Sequence, residues 1–188
     1  YEEKLALWRK LGGGDLEPVL ASGAIALVDS RWIINYAEAG GVLSHRQALP
    51  EEAFLSLADL VEATVEYVAS TGKYVASLPV AALSYPWLTK DHPDPRGANL
   101  ARVARALKAL LTDNDGLITR LGVFWDFGSL HQHPDPPNGV LRTEEQNALF
   151  KQGLGCLGTL YSHPYTLVLR LTSFPDGHKA EDQAEGTN

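Results

Sequence analysis

Three short apolar segments rich in β-forming residues, Val80 to Tyr85 (VAALSY), Leu121 to Phe127 (LGVFWDF) and Tyr165 to Leu171 (YTLVLRL), are separated by stretches patterned as helices. This alternation restricts the fold more than any other feature. Strands joined through helices pair in parallel with right-handed crossovers, and their carboxyl ends form the edge where function collects. Residues 98–111 repeat apolar positions at Leu100, Val103, Ala104, Leu107, Leu110 and Leu111, an amphipathic helix whose other side carries Arg102, Arg105 and Lys108. Thr143 opens a second helix, with Gln146 at the capping-box position, that is expected to run to about Tyr161. Pro79 interrupts the run from Tyr74 to Tyr85 and leaves its second half as a buried strand. The expected fold class is α/β, a small parallel sheet flanked by helices, with an N-terminal helical segment.

The first 70 residues read as helical. Residues 2–11 place Leu5, Leu7, Trp8 and Leu11 near one side of a short helix that stops at Gly12-Gly13-Gly14, a hinge or linker. Between Asp15 and Gly41, Trp32, Ile33, Tyr36 and Ala37 recur at helical spacing behind a cap at Asp29 or Ser30. Residues 51–70 are expected to be one helix with Pro50 at its start, a stripe of Phe54, Leu57, Val61, Val65 and Val68, and an acidic face of Asp59, Glu62 and Glu66. The division that follows is a helical segment over 1–72, an α/β core over 73–175 and a polar tail over 176–188.

Composition narrows the function classes. Sixteen Lys and Arg against 23 Asp and Glu give a formal charge of −7, which repels a polyanion and disfavours nucleic acid as a partner. No apolar run approaches the roughly 20 residues of a bilayer span. Peripheral membrane association stays open. Cys156 is the single cysteine among 188 residues, so there is no internal disulfide framework, and a reducing intracellular compartment is favoured. The sequence starts at Tyr1 and contains no Met, which reads as a processed or excised piece. G-x-x-x-x-G-K-[ST] and G-x-S-x-G are both absent.

The two loops that leave the strands contain the same tetrapeptide, His92-Pro93-Asp94-Pro95 and His133-Pro134-Asp135-Pro136. Turn chemistry is the plainer account of it, and a paired rim around a crevice is the functional one. His131 and His133, with Asp126, Asp135 and His92, offer ligand types suited to zinc, but H-x-H before a proline is a weak signal and no metal site is assigned. Asp126 ends an apolar strand, where a carboxylate is satisfied either by a ligand or by capping the next loop, which Ser129 and Gln132 also serve. Glu144 and Glu145 stand in the first turn of a helix, where the dipole stabilises them and where one could also face the crevice as a catalytic carboxylate. Gly153, Gly155 and Gly158 interrupt that helix and suggest close packing. Arg96, Arg102, Arg105 and Lys108 form a basic cluster that reads as a solvated face, an ion-pair surface against Asp59, Glu62 and Glu66, or a dock for a partner or phosphate.

Taken together, two segments carry a family resemblance. Ala82-Leu83-Ser84-Tyr85-Pro86-Trp87 resembles the ALSY-x-W motif that opens the heterokaryon-incompatibility (HET) domain, and Val123 to Gln132 resembles that family's second motif, a strand ending in Asp with a Gln a few residues on. Glu144 or Glu145 falls where the family has an acidic residue opening a helix. Leu157 to Tyr161 resembles its helix ending in Tyr, followed by the strand Thr166 to Leu169. The likeness spans roughly residues 74–175. It departs at Leu88, where the family has Gly, and at Ser129, where it has Cys. The resemblance implies a flavodoxin-like core akin to TIR domains, a group containing both NAD-cleaving enzymes and non-catalytic signalling or assembly modules.

Three functions follow as expectations. The first is a protein-interaction or assembly module, a signalling domain or accessory subunit, that meets a protein partner or a second copy through Arg102, Arg105 and Lys108 or through residues 1–70. The second is a nucleotide-binding enzyme that cleaves NAD, taken as substrate rather than cofactor. In it Ser84, Tyr85, Trp87, Asp126, Ser129 and Gln132 line the crevice and Glu144 or Glu145 stabilises the ribosyl cation. The third is a metal-dependent hydrolase built on His92, His131 and His133.

Overall fold

The computed structural model describes residues 1–113 and 117–178. Its elements in chain order are α1 (Glu2–Lys10), α2 (Glu17–Ala21), β1 (Leu27–Asp29), α3 (Ser30–Glu38), β2 (Phe54–Leu55), α4 (Leu57–Ala63), β3 (Val65–Val68), β4 (Tyr74–Ser77) and β5 (Val80–Ser84). There follow α5 (Ala98–Asp113), β6 (Gly122–Phe124), α6 (Asp126–Ser129), α7 (Glu144–Gly155), α8 (Leu157–Ser162) and β7 (Leu167–Arg170). A five-stranded sheet runs in the order β2-β1-β6-β5-β7, and β3 and β4 form a separate two-stranded ribbon. The chain has the expected α/β architecture. β5 pairs in parallel with both β6 and β7, whereas β1 lies antiparallel to β6 and β2.

Period-two alternation makes the sheet the middle of three layers. Leu27, Leu55, Val80, Ala82 and Phe124 face one side and pack with Trp8, Leu11, Val19 and Leu160 from the flanking helices. Val28, Ala81, Leu83 and Val123 face the other and pack with Ile33, Leu100, Val103 and Leu107 from α3 and α5. Because β5 is buried on both faces, it has the continuous apolar run of a covered parallel strand rather than an alternating one. Each leucine removed from water in these layers contributes about 1.5–3 kcal/mol.

α5 begins where the sequence places it, and its start is built from the first HPDP loop. Asp94 accepts the Leu100 N–H at 2.7 Å, and Gly97 turns the chain at φ +70°. A side chain at Gly97 would also meet the Gly41 carbonyl, with Cβ 2.6 Å from that oxygen. α7 starts with the expected reciprocal box between Thr143 and Gln146.

Several expectations are corrected. The single helix over 51–70 is instead a 3₁₀ turn at Glu51–Ala53, then β2, α4 and β3. Ser56 and Asp59 form a capping box that starts α4 afresh, and Thr64 leaves it in an extended conformation before Val65 and Tyr67, residues that favour strands. Asp15 to Gly41 is not one helical piece, since β1 lies between α2 and α3, although Asp29 does cap α3 through the Arg31 N–H. The first 72 residues therefore add two strands to the sheet. The strand expected over Leu121 to Phe127 ends at Phe124, because Asp126 to Ser129 turn into α6. The helix expected to reach Tyr161 breaks at Cys156 into α7 and α8. Of its three glycines only Gly153 is packed, with a Cβ there falling 2.6 Å from Leu130 Cδ2, while Gly155 and Gly158 face open space.

Candidate functional site

The parallel register of β5 and β6 sets Val80 beside Gly122 and Ala82 beside Phe124, so both strands end at the same edge. There Asp126, the first residue of α6, meets the two aromatic residues that follow β5. Tyr85 donates its hydroxyl to Asp126 Oδ1 at 2.7 Å, and Trp87 donates Nε1–H to Oδ2 at 3.0 Å. The Phe127 N–H is a third donor, at 2.7 Å from Oδ1. Each acid oxygen thus has a fixed donor, which removes the cost of holding a carboxylate among apolar residues. Burial, then the neighbouring Asp126 carboxylate, holds the Tyr85 phenol well above the usual tyrosine range. Edge-to-face contacts of Tyr85 with Trp125 and of Trp87 with Phe127 fix the rings in turn.

Ser129 and Gln132 complete this corner from behind. Ser129 is fully buried; its Oγ accepts the Trp125 N–H at 2.9 Å and closes α6. Gln132 Nε2 donates to the carbonyls of Asp126 and Leu130, each at 3.1 Å, while its backbone exchanges hydrogen bonds with the Gln47 side chain. Ser84 is exposed at the end of β5, with its carbonyl accepting the Leu171 N–H. Tyr161 reaches the same edge from α8 and donates to the Leu83 carbonyl at 2.7 Å; burial, then the Asp126 charge, pushes its phenol up to about 12. Sequence reasoning gave Tyr161 only as the end of a helix. Gln47 it missed, since nothing local marks a glutamine that pairs with backbone 85 residues away.

Beside this corner lies a cleft of ≈ 330 Å³ whose walls include Trp87, Phe127, His45, His92, His133 and Lys90. The two HPDP loops do meet: His92 comes from the first, and His133, Pro134 and Pro136 from the second. Each tetrapeptide also performs the turn chemistry that its composition suggests. His92 Nδ1 accepts the Asp94 N–H at 2.9 Å, so Nε2 carries the proton that is donated to the Leu43 carbonyl at 3.0 Å. Burial lowers the pKa of that neutral ring. In the second loop Asp135 accepts from Asn138 Nδ2 at 2.8 Å, and His133 Nδ1 accepts the Arg142 N–H at 3.0 Å.

The H-x-H pair serves arginines. Arg46 Nη1 lies 3.4 Å from His131 Nδ1, and Arg142 Nη2 lies 3.2 Å from His133 Nε2. Burial, then the charges of Arg46 and Arg142, pulls the His131 pKa down to about 4. No group of three His, Cys, Asp or Glu side chains that could hold a metal ion occurs among the described residues.

Glu144 and Glu145 are exposed in the first turn of α7, and neither makes a side-chain hydrogen bond or ion pair among the described residues. They do not line the cleft beside Trp87. The basic cluster is divided. Arg102 holds the Ser173 carbonyl and hydroxyl at 2.7 and 2.9 Å, Lys108 pairs with Glu38 at 2.6 Å, and Arg105 is exposed without an ionic partner among the described residues. The alternative of an ion-pair surface against Asp59, Glu62 and Glu66 is not formed: Asp59 pairs with Arg120, and Glu66, on β3, pairs with Lys10. No helix among the described residues is long and apolar enough to cross a membrane. No family model, curated protein or solved structure matches the chain.

Proposed function

We propose that this chain is a protein-interaction or assembly module, a signalling domain or accessory subunit, on a HET/TIR-like core. The observation that carries the reading is that the motif residues are spent on one another. Asp126 is held by Tyr85, Trp87 and the Phe127 N–H; Ser129 and Gln132 bind backbone; and the two glutamates are exposed and do not line the cleft. A catalytic carboxylate has to reach the reacting atoms, and one tied to three donors fixes structure instead. The face offered to a partner is α5 where it lies against α3, a shallow groove of Ile34, Ala37, Ala101 and Ala104 rimmed by Arg105 and by the Lys108–Glu38 pair. On a protein of net charge −7, Arg105, the rim cation without an ionic partner among the described residues, fits an acidic surface, and a second copy of the chain supplies one.

Sedimentation across protein and salt concentration tests this. The expected result is self-association that weakens as salt rises and is reduced by Arg105→Glu with Lys108→Glu. A monomer at every concentration and salt level overturns the self-association version.

A second reading draws on the cleft, whose Trp87 and Phe127 rings and Lys90 could hold a base and an anionic group of a nucleotide. In this reading the chain cleaves NAD. Nicotinamide release that is lost on Glu144→Ala with Glu145→Ala would support it and displace the first. The metal-dependent hydrolase is not carried forward, because the histidines it needs are turned to arginines and backbone.

A further inference from the structure

On the far side of the first HPDP loop, between the start of α5 and the segment after β7, lies a separate cavity of ≈ 220 Å³. Its walls include Asp94, Arg96, His178, Leu88, Pro95 and Pro175. Asp94 is fully buried. One of its oxygens accepts the Leu100 N–H, but Oδ1, equally buried, has no hydrogen-bond partner among the described residues. His178 Nε2 in the same wall is likewise buried without a partner among the described residues. A buried carboxylate oxygen with no donor is costly, so two unpaired polar atoms in one cavity mark a place where something polar belongs.

The other groups around the cavity have the opposite character. Arg96 is exposed and makes a single long hydrogen bond, 3.4 Å to the Gly177 carbonyl. The N–H groups of Ala98 and Asn99 in the first turn of α5 have no acceptor among the described residues, and the amino end of a 16-residue helix favours an anion. One cavity therefore has an unpaired acceptor for a cationic donor, unpaired donors for an anion and, in Leu88, Pro95 and Pro175, an apolar wall. A simple cation would satisfy Asp94 but would sit against Arg96 and the helix end. A simple anion would meet the Asp94 carboxylate.

We propose that this cavity binds a small zwitterion of the α-amino-acid type. Its ammonium meets Asp94 Oδ1, its carboxylate faces Arg96 and the start of α5, and a short apolar side chain lies on the proline and leucine wall. His178, stacked on Phe174 at a centroid distance of 4.6 Å, closes the site and supplies a further hydrogen-bonding nitrogen. The volume holds several water molecules or one ligand of comparable bulk. The inference does not depend on the α5–α3 face or on the NAD reading, so its failure leaves both standing.

Calorimetric titration with glycine, L-alanine and L-valine tests the proposal, with propylamine and propionate as half-ligands. The expected result is 1:1 binding of at least one amino acid, with each half-ligand weaker by about tenfold or more, the value of one charge-assisted hydrogen bond. Asp94→Asn, which keeps an acceptor for the Leu100 N–H, should abolish binding. If that variant fails to fold, Arg96→Ala decides, since the only hydrogen bond of the Arg96 side chain among the described residues is the long one to the Gly177 carbonyl; it should weaken binding by a similar factor. Failure of all three amino acids to bind, equal binding by the folded Asp94→Asn protein, or a crystal structure from a soak with the amino acids showing water alone in the cavity overturns the proposal.

Discussion

The Tyr85 hydroxyl and the Asp126 carboxylate are joined at 2.7 Å across the ends of two neighbouring parallel strands, and the same carboxylate takes the Trp87 indole N–H at 3.0 Å. Asp126→Ala strands both donors in a half-buried corner. The expected cost is about 2–4 kcal/mol, measured by urea unfolding. Asp126→Asn keeps one carbonyl acceptor and should cost less than half as much. Equal stability of the alanine variant and the parent would remove Asp126 from its place as the tie between β5 and α6.

His131 and His92 give stability a direction in pH. Both are held below the usual histidine range, His131 to about 4, with burial the leading cause in each. A depressed histidine binds its proton more weakly folded than unfolded. Stability is therefore full above the unfolded pKa near 6.5 and falls as the pH drops from there toward 4. Unfolding midpoints measured between pH 7.5 and 4 should decline over this window. The slope should flatten in His131→Asn.

The three helix glycines should separate cleanly. Gly153→Ala places a Cβ 2.6 Å from Leu130 Cδ2 and 2.9 Å from the Ala24 carbonyl oxygen, an overpacking worth about 1–3 kcal/mol. At Gly155 and Gly158 a Cβ meets nothing within 4 Å, so alanine there should stabilise by about 0.5–1 kcal/mol. Thermal denaturation of the three single variants is sufficient. A destabilised Gly158→Ala would contradict the open space on that side of α8.

Arg120 bridges Asp29 and Asp59, with a nitrogen 2.8 Å from each carboxylate, and Asp29 is only 5% exposed. Arg120→Ala leaves Asp29 buried with the Arg31 N–H as its remaining donor and should cost about 2–4 kcal/mol. Arg120→Lys recovers only part of this, because an ammonium cannot span two acids as a planar fork does. The Ser56 hydroxyl first, with Arg120 adding to it, holds the Asp59 pKa below its ordinary value. That contribution is present above the unfolded carboxylate range near pH 4 and is lost in stronger acid. Acid unfolding should therefore begin at higher pH in the Arg120 variants.

Long, strongly periodic elements were legible in the sequence, and short ones fixed by tertiary pairing were not. The stripe at Leu100, Val103, Ala104 and Leu107 reads directly as α5, and the VAALSY run as a strand covered on both faces. β1, only Leu27–Asp29, carries too few residues to show a period and is extended because β2 and β6 lie on either side of it. The stripe from Phe54 to Val68 satisfies helical spacing by coincidence, since Ser56 and Thr64 cut it into three elements. At the candidate site, the motif residues Tyr85, Trp87, Asp126 and Gln132 do converge, but their composition could not reveal that they would satisfy one another. Nor could spacing reveal the unpaired oxygen of Asp94, which read only as part of a turn.

The placement of β1 between β2 and β6 sets an order on the making of the protein. Leu27 to Asp29 leave the ribosome long before residues 122–124, and until those arrive one edge of β1 has nothing to pair with. The nascent chain must keep an apolar strand edge from finding a neighbour while nearly a hundred further residues are added. Contacts so distant along the chain also place this protein among slow folders for its size. β1 is thus closed on its second side only when β6 arrives, and β5 waits longer still, until β7 at residues 167–170 reaches it.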